Sequence, residues 1–548
     1  MAANLFSLVD INLDDLKSES VIRSINPSNE QILAEIPESD IESVERAFEG
    51  AEKAFKTWSK TAMSARIELL EKLKNLLLEK AESMAELIAS EQGKPISEAI
   101  LVEILPAIDA LDFYINRGEK LIQTLKVRHW QVLFREKKGY YRFDPLGIVA
   151  VISPWNYPFV IPFLDVVASL FVGNTVVLKP SSTTPLVGLA IAQLFKEFDA
   201  PEGILNVVIG RSAVGEVLVK HPKTSAILFT GSVETGKRIM EMAASGVKKV
   251  ILELGGKDPA VVMADADLER AANGIVWGAF MNAGQTCASI ERVYVHEDVF
   301  DKFLELVIEK TKNLTIGDPL DAETDIGPMT TAFQRKLVES HLREAVESGA
   351  EVVLGGKRPF DKGYFFEPTI LTGVTHSMRI MRDETFGPTM PIMKFRTLDE
   401  AIALANDTSY GLTASIWTRD PNVARKFVEN VDAGTITVND HVFSFGEPEG
   451  AWGGVKDSGV GRTHGRFGLL ELVNLKFVSE DFTRRKTQFW WYPYDSELFK
   501  LAKTAGFALY GKSFGVKIKA LTKFVPHLQR LISTTGMWNL IKNFKRFV

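Results

Sequence analysis

The sequence predicts an α/β protein with mostly parallel sheets and helices on both sheet faces. Three observations carry that prediction. Between about Gly147 and Gly256, short β-branched runs alternate with helix-like segments. A second alternation extends from about Lys257 to Trp452. Ahead of both, residues 39–124 repeat apolar side chains at helical intervals. Strand, helix and strand in succession require right-handed crossovers and therefore parallel strands. A chain of 548 residues is too long for one simple core, so two or three domains are expected.

The elements follow in order. The opening "MAANLFSLVDINLDDLKSES" is acidic and lacks a basic start followed by an apolar core, so no signal peptide is expected. In "SDIESVERAFEGAEKAFKTW", Ser39 and Glu42 stand at capping-box spacing. Ala47, Ala51, Ala54, Phe55 and Trp58 then mark one helix face. "GYYRFDP", around Tyr140, reads as an extended segment outside either core. The runs "GIVAVIS", "NTVVLKP", "ILNVVIG", "AILFTG" and "KVILELGG" read as strands, with helices over Pro185–Phe198 and Thr235–Ala244 between them. Ligands in such sheets bind beyond the carboxyl ends of the strands, so the polar residues after each run are the first candidates. "RVYVH", "EVVLGG" and "GTITVND" are strands of the second region. No repeat, low-complexity linker or apolar run of membrane-spanning length interrupts the chain. Past Phe482 the composition turns basic and aromatic, which marks an appendage.

Composition narrows the function. Hydrophobic residues make up 46% and charged residues 24%, ordinary for a globular protein. One cysteine excludes an internal disulfide framework and a cysteine metal site, and fits a reducing, cytoplasmic setting. The eight histidines form no metal-binding pattern, so no metal is expected. Net charge is −6, but residues 483–548 carry thirteen Lys/Arg against two acids, about +11, leaving the rest near −17. An acidic body argues against nucleic-acid binding.

Several residues stand where chemistry is possible. The lone thiol, Cys287, lies in "FMNAGQTCASIERVYV". Most free cysteines are buried packing groups. Gly284, Gln285 and Thr286, however, suit a turn or helix entrance where a thiolate is stabilised. Glu253 ends an apolar run in "ILELGGKDP", either as a solvated strand end or as a base whose pKa is raised by apolar surroundings. Asn156 in "SPWNYPF" is a turn residue or a rigid amide donor for an oxyanion. Lys179 ends "NTVVLK", and "ILFTGSVETG" places glycines at a helix start suited to phosphate.

In order, these stretches resemble the motifs of the aldehyde dehydrogenase superfamily. "PWNYP", "KPSS", "FTGS", "ELGGK", "GQTC", "ETFGP" (Glu384–Pro388) and "GGVKDSGVGR" (Gly453–Arg462) all match, over roughly residues 20–480. The resemblance implies a Rossmann-like cofactor domain over 1–124 and 146–252 and a catalytic α/β domain over 253–453. A small β oligomerisation segment would occupy 125–145 and 470–483, with a basic amphipathic extension over 484–548. It also implies a homodimer or homotetramer.

The resemblance implies roles as well. Cys287 is the nucleophile, Asn156 and the Cys287 backbone N–H hold the oxyanion, and Glu253 activates water to release an acid. Trp155, Lys179, Ser182, Gly231, Ser232, Glu384 and Phe386 would bind NAD or NADP. Members that prefer NAD commonly carry Glu three residues after the lysine; Ser182 stands there, which predicts that NADP is accepted. Tyr157, Val160, Ile161, Leu164, Thr286, Ala288 and Trp452 would line a substrate tunnel without a Lys or Arg, which favours an apolar aldehyde, aliphatic or aromatic. Two alternatives are an acylating, coenzyme A-dependent enzyme, which generally lacks the glutamate, and a non-catalytic structural relative. In the extension, Phe514, Ile518, Leu521, Phe524 and Val525 recur at helical spacing among lysines. That pattern suits either an anionic membrane surface or packing on the protein itself.

Overall fold

The computed structural model describes residues 20–131, 134–483, 486–488 and 490–524. The chain forms two compact units. One runs to Ile122 and resumes over Asp144–Asn474; the other joins Gln123–Phe143 to the chain from Leu475 onward.

The first unit opens with an antiparallel hairpin, β1 (Val21–Ile25) and β2 (Ile32–Pro37). Sequence reading did not predict it. Its strands are short and carry the exposed Arg23–Glu35 pair on one face. Helices follow over Ile41–Trp58, Met63–Glu79 and Ala81–Gln92, then a helical run with two π-helical turns reaches Leu121. The first helix is not capped by Ser39. The Asp40 carboxylate accepts from the Ser43 N–H at 2.7 Å, while the Ser39 hydroxyl accepts from the Ile209 N–H at 2.9 Å. Two capping residues stand side by side, and the tertiary contact recruits one of them elsewhere.

Strands β3 (Leu125–Val127) and β4 (Lys138–Pro145) precede the first large sheet. That sheet contains β5 (Ile148–Ile152), β6 (Thr175–Lys179), β7 (Leu205–Val207), β8 (Thr224–Thr230) and β9 (Lys249–Glu253), all parallel. The second sheet contains β10 (Asp258–Val262), β11 (Ile290–His296), β12 (Glu351–Leu354), β13 (Thr369–Thr372), β14 (Thr389–Phe395), β15 (Thr413–Trp417) and β16 (Thr435–Val438). Its order is β12-β13-β14-β11-β10-β15-β16, and only β12 runs antiparallel. The two-residue β17 (Gly459–Val460) then returns to the edge of the first sheet, pairing Gly459 with Glu253. Every residue of β5, of β6 and of the helix Val160–Phe171 is buried, as expected for central parallel strands covered by a helix.

In the second unit, β18 (Val473–Glu480) joins β4 and β3 in a three-stranded sheet. Two helices follow, Ser496–Tyr510 and Phe514–Phe524. The helical spacing read through Val525 is present as far as Phe524; Val525 lies outside the described residues, as do Arg484, Arg485 and 526–548. No helix among the described residues is long and apolar enough to cross a membrane.

Candidate active site

The nucleophile candidate sits on a constrained turn. The helix Leu268–Phe280 ends at Met281–Gly284, where Asn282, Ala283 and Gly284 take positive φ of 54°, 51° and 70°. Gly284 is needed there, because a Cβ would lie 2.2 Å from the Gly387 carbonyl oxygen. Cys287 follows, half-buried, three residues before β11. Sequence reading offered a turn or a helix entrance for this stretch. The structure shows the turn, after a helix C-terminal end and without the favourable N-terminal dipole. Burial raises its pKa most, and the carboxyls of Asp258, Glu384 and Glu253 raise it further; the Ala288 N–H acts the other way. On balance these protein groups favour the thiol over the thiolate.

Glu253 ends β9 with both carboxyl oxygens buried and without a hydrogen-bond partner. Burial raises its pKa well above the carboxylate range; Asp165 adds to that and Arg462 opposes it. Asp165 is itself pushed up to about 8 by burial. Glu253, Asp165, Thr230, His464 and Cys287 surround a cavity of about 20 Å³. A cavity of roughly 10–15 Å³ holds one water, so this one has room for a single water. Asp165 and His464 were not singled out from sequence; each lies in an apolar or glycine-rich stretch without a recognisable motif.

Asn156 follows β5. Its amide donates to the Gln285 carbonyl at 2.9 Å, which fixes its plane and leaves its second N–H for another acceptor. Asn282 donates to the Asn156 carbonyl at 2.9 Å and to the Gln285 carbonyl at 3.1 Å. The Tyr157 hydroxyl bonds Thr286 Oγ1 at 2.9 Å, and the Lys94 ammonium lies 3.7 Å from the centroid of the Tyr157 ring.

A cavity of about 560 Å³ ends at Cys287. Tyr157, Ile161, Thr286, Ala288 and Trp452 line it. Val160 and Leu164, placed there by sequence reading, do not. Val160 is fully buried, and its N–H donates to Glu103 at 3.0 Å. Leu164 is also buried, so the helix turns both away from the wall. Sequence reading missed Leu101, Leu105, Trp277, Met281 and Phe445, which do line it. They come from helices and a loop remote from the motifs.

The remaining residues singled out from the sequence are placed as follows. Lys179 is buried, donates to the carbonyls of Pro180 (3.1 Å) and Gly210 (3.0 Å), and is lowered to about 8 by burial. With two donors committed, one N–H remains. Ser182 is half-buried. Ser232 caps the helix Val233–Ala244 by accepting from the Thr235 N–H at 3.4 Å, next to Gly231, on an exposed helix start. Glu384 accepts from the Gly256 N–H at 3.1 Å and is raised to about 8, chiefly by burial. A Cβ on Gly255 would lie 2.4 Å from the Glu384 carboxylate, so the space beside it exists because residue 255 is glycine. Trp155 and Phe386 meet edge to face at 5.4 Å. Phe386 holds a positive φ of 52°, fixed by Glu291, which accepts the N–H groups of Thr385 and Phe386 at 2.7 Å and pairs with Lys257 at 2.5 Å. A spare lysine donor, a buried carboxyl and an open helix start fit a dinucleotide. Among the described residues no cluster of three or more His, Cys, Asp or Glu is arranged to hold a metal.

Comparison with known proteins gives the same reading. The model of the aldehyde dehydrogenase family matches residues 15–478. The 4,4'-diapolycopene aldehyde oxidase of a Methylomonas species is 36% identical over 496 residues, covering 90% of this chain and 92% of that one. The betaine aldehyde dehydrogenase of Brucella anthropi is 37% identical over 461 residues, covering 83% and 92%. The crystal structure of an NAD-dependent aldehyde dehydrogenase from Sinorhizobium meliloti superposes with a TM-score of 0.83 at 36% identity, covering 87% and 94%. The chain belongs to the aldehyde dehydrogenase family.

Proposed function

We propose that the protein oxidises an apolar aldehyde, aliphatic (long chains included) or aromatic, to the carboxylic acid with NAD(P)+. The observation that carries the substrate class is the wall of the 560 Å³ cavity. It is largely aliphatic and aromatic, bears no Lys or Arg, and has its two acids, Asp109 and Glu447, exposed. The Methylomonas relative, named for a diapolycopene aldehyde, agrees with an apolar substrate. The betaine aldehyde relative marks a cationic aldehyde as the competitor.

The chemistry follows from the side chains. The Cys287 proton leaves to solvent by way of the water beside it, and the sulfur bonds to the aldehyde carbon, giving a thiohemiacetal. Asn156 and the Cys287 N–H stabilise the oxyanion. NAD(P)+ would supply the hydride acceptor when bound; the three carboxyls around Cys287 oppose its thiolate. Loss of hydride from the carbon leaves a thioester on Cys287. Glu253 then deprotonates water, which attacks the thioester carbon; the C–S bond breaks, the carboxylic acid leaves, and Glu253 returns the proton to the sulfur. Glu253 supports this hydrolytic outcome over transfer to coenzyme A. Lys179 and Glu384 would hold the two riboses, and Ser232 with Gly231 the pyrophosphate. Ser182 offers no like charge to a 2′-phosphate, so NADP+ is accepted; a preference for NAD+ of about a thousandfold in kcat/KM would reject that. A panel of apolar, cationic and carboxylate aldehydes with both cofactors, repeated on Cys287→Ala, tests the whole reading. Exclusive turnover of betaine or carboxylate aldehydes would overturn it.

The domain assignment given above stands as part of the proposal, with a homodimer or homotetramer formed through 125–145 and 470–483. The exposed Leu475 and Phe477 on β18 support an edge that meets another copy. The extension from 484 would hold a cytoplasmic enzyme against anionic membrane. Six lysines in 490–524 stand among exposed Phe499, Phe507, Tyr510 and Phe514.

A further inference from the structure

The cavity ending at Cys287 shares part of its wall with a second cavity. Leu101, Val102, Trp277 and Met281 line both. The second cavity has a volume of about 540 Å³. Val276, Phe280 and Ile326 are its buried apolar residues, at 6%, 1% and 3% exposure. Of its polar residues, Ser97, Asn273, Asn313 and Asp325 are exposed, Glu98 and Lys310 are half-buried and Thr324 is buried. Buried apolar groups with mostly exposed polar neighbours are the make-up of a ligand groove rather than of open surface. The shared wall is itself unusual. Leu101 and Val102 lie on the π-helical turn Ile100–Ile104, a distortion frequent at functional sites. Leu101 is 63% exposed and Trp277 42% exposed, so two large apolar side chains that line both cavities also face solvent.

We propose that the second cavity is a distal subsite for the far end of a long, unbranched apolar aldehyde whose carbonyl lies at Cys287. This rests on the apolar-aldehyde reading above and extends it to chain length. A short aldehyde fills only the space beside the sulfur. A longer chain crosses Leu101 and Trp277, covers them, and ends over Val276, Phe280 and Ile326. Each methylene removed from water contributes about fourfold in kcat/KM, from ~0.8 kcal/mol per buried CH₂.

The test uses the full-length enzyme with butanal, hexanal, decanal and hexadecanal. Two variants fill the second cavity from its border without touching the catalytic cavity, Asn273→Trp and Ser97→Trp; both positions are exposed. Wild-type kcat/KM should rise beyond hexanal. Each variant should lose about tenfold or more on hexadecanal, while hexanal changes less than about twofold and so confirms that the variant folds. Equal effects on hexanal and hexadecanal, or none on either, overturn the subsite, as does a wild-type rate flat beyond hexanal. Failure of the underlying reading looks different: no apolar aldehyde of any length is turned over.

Discussion

Cys287 and Glu253 should separate cleanly in kinetics because they act in different half-reactions. Cys287→Ala removes the only sulfur nucleophile, so no NAD(P)H forms in either the first or later turnovers. Glu253→Gln keeps shape and leaves the sulfur, so hydride transfer persists while thioester hydrolysis fails. Steady-state kcat should fall by roughly 10²–10⁴-fold, the range for a general base. A single-turnover burst of NAD(P)H should remain in stopped-flow absorbance. Loss of the burst in Glu253→Gln would make Glu253 essential for thiol deprotonation as well. Asp165 gives a pH prediction. Glu253 works as a base when ionised, and its raised pKa puts the acid limb of kcat above the ordinary carboxylate range. Asp165 adds to that rise. Asp165→Asn removes one negative charge, so the acid limb should move to lower pH. A limb that stays in place in the kcat–pH profile would show that the two do not interact.

The turn Met281–Gly284 governs both catalytic loops. Left-handed backbone at two non-glycine residues costs about 1–3 kcal/mol each and persists only where surrounding contacts impose it. Here Gln92 donates to Asn282 Oδ1 at 2.8 Å, Glu98 accepts from the Asn282 N–H at 3.0 Å, and the Thr330 N–H donates to Gln285 at 2.9 Å. Gln92→Leu leaves buried polar atoms unpaired, which costs about 1–3 kcal/mol. It should lower the denaturation midpoint and also kcat, because Asn282 bonds the Asn156 carbonyl. A stability loss with unchanged kcat would uncouple the turn from the oxyanion donor. Sequence reading reached the parallel strands, the helices between them and the motif residues, because periodicity and local motifs encode those. It offered a turn or a helix entrance here but not the turn's partners, which lie 190 positions away for Gln92 and 184 for Glu98. Nor did it reach the Asp40 cap or the orientation of Val160 and Leu164. A wholly buried helix has no polar face to say which side meets the cavity.

For the whole molecule, charge and exposure together bear on where the enzyme works. Near −17 outside the extension and about +11 within it, the chain carries opposite signs along its length. The two extension helices bury only Leu501 and Ala520, while Phe499, Tyr510 and Phe514 are 68%, 65% and 79% exposed. So much exposed aromatic surface among lysines fits an anionic interface, each lysine there adding about 1 kcal/mol. Full-length protein should pellet with vesicles containing an anionic lipid and much less with neutral ones, and added salt should weaken the binding as screening shortens. Removing residues after 483 should abolish it. Lys517→Ala with Lys519→Ala should weaken it about 30-fold by that value while leaving hexanal turnover intact. Equal pelleting of full-length and shortened protein would place these helices against protein instead. Analytical ultracentrifugation would then show whether that protein is a second copy, because the shortened chain would lose mass beyond its missing residues.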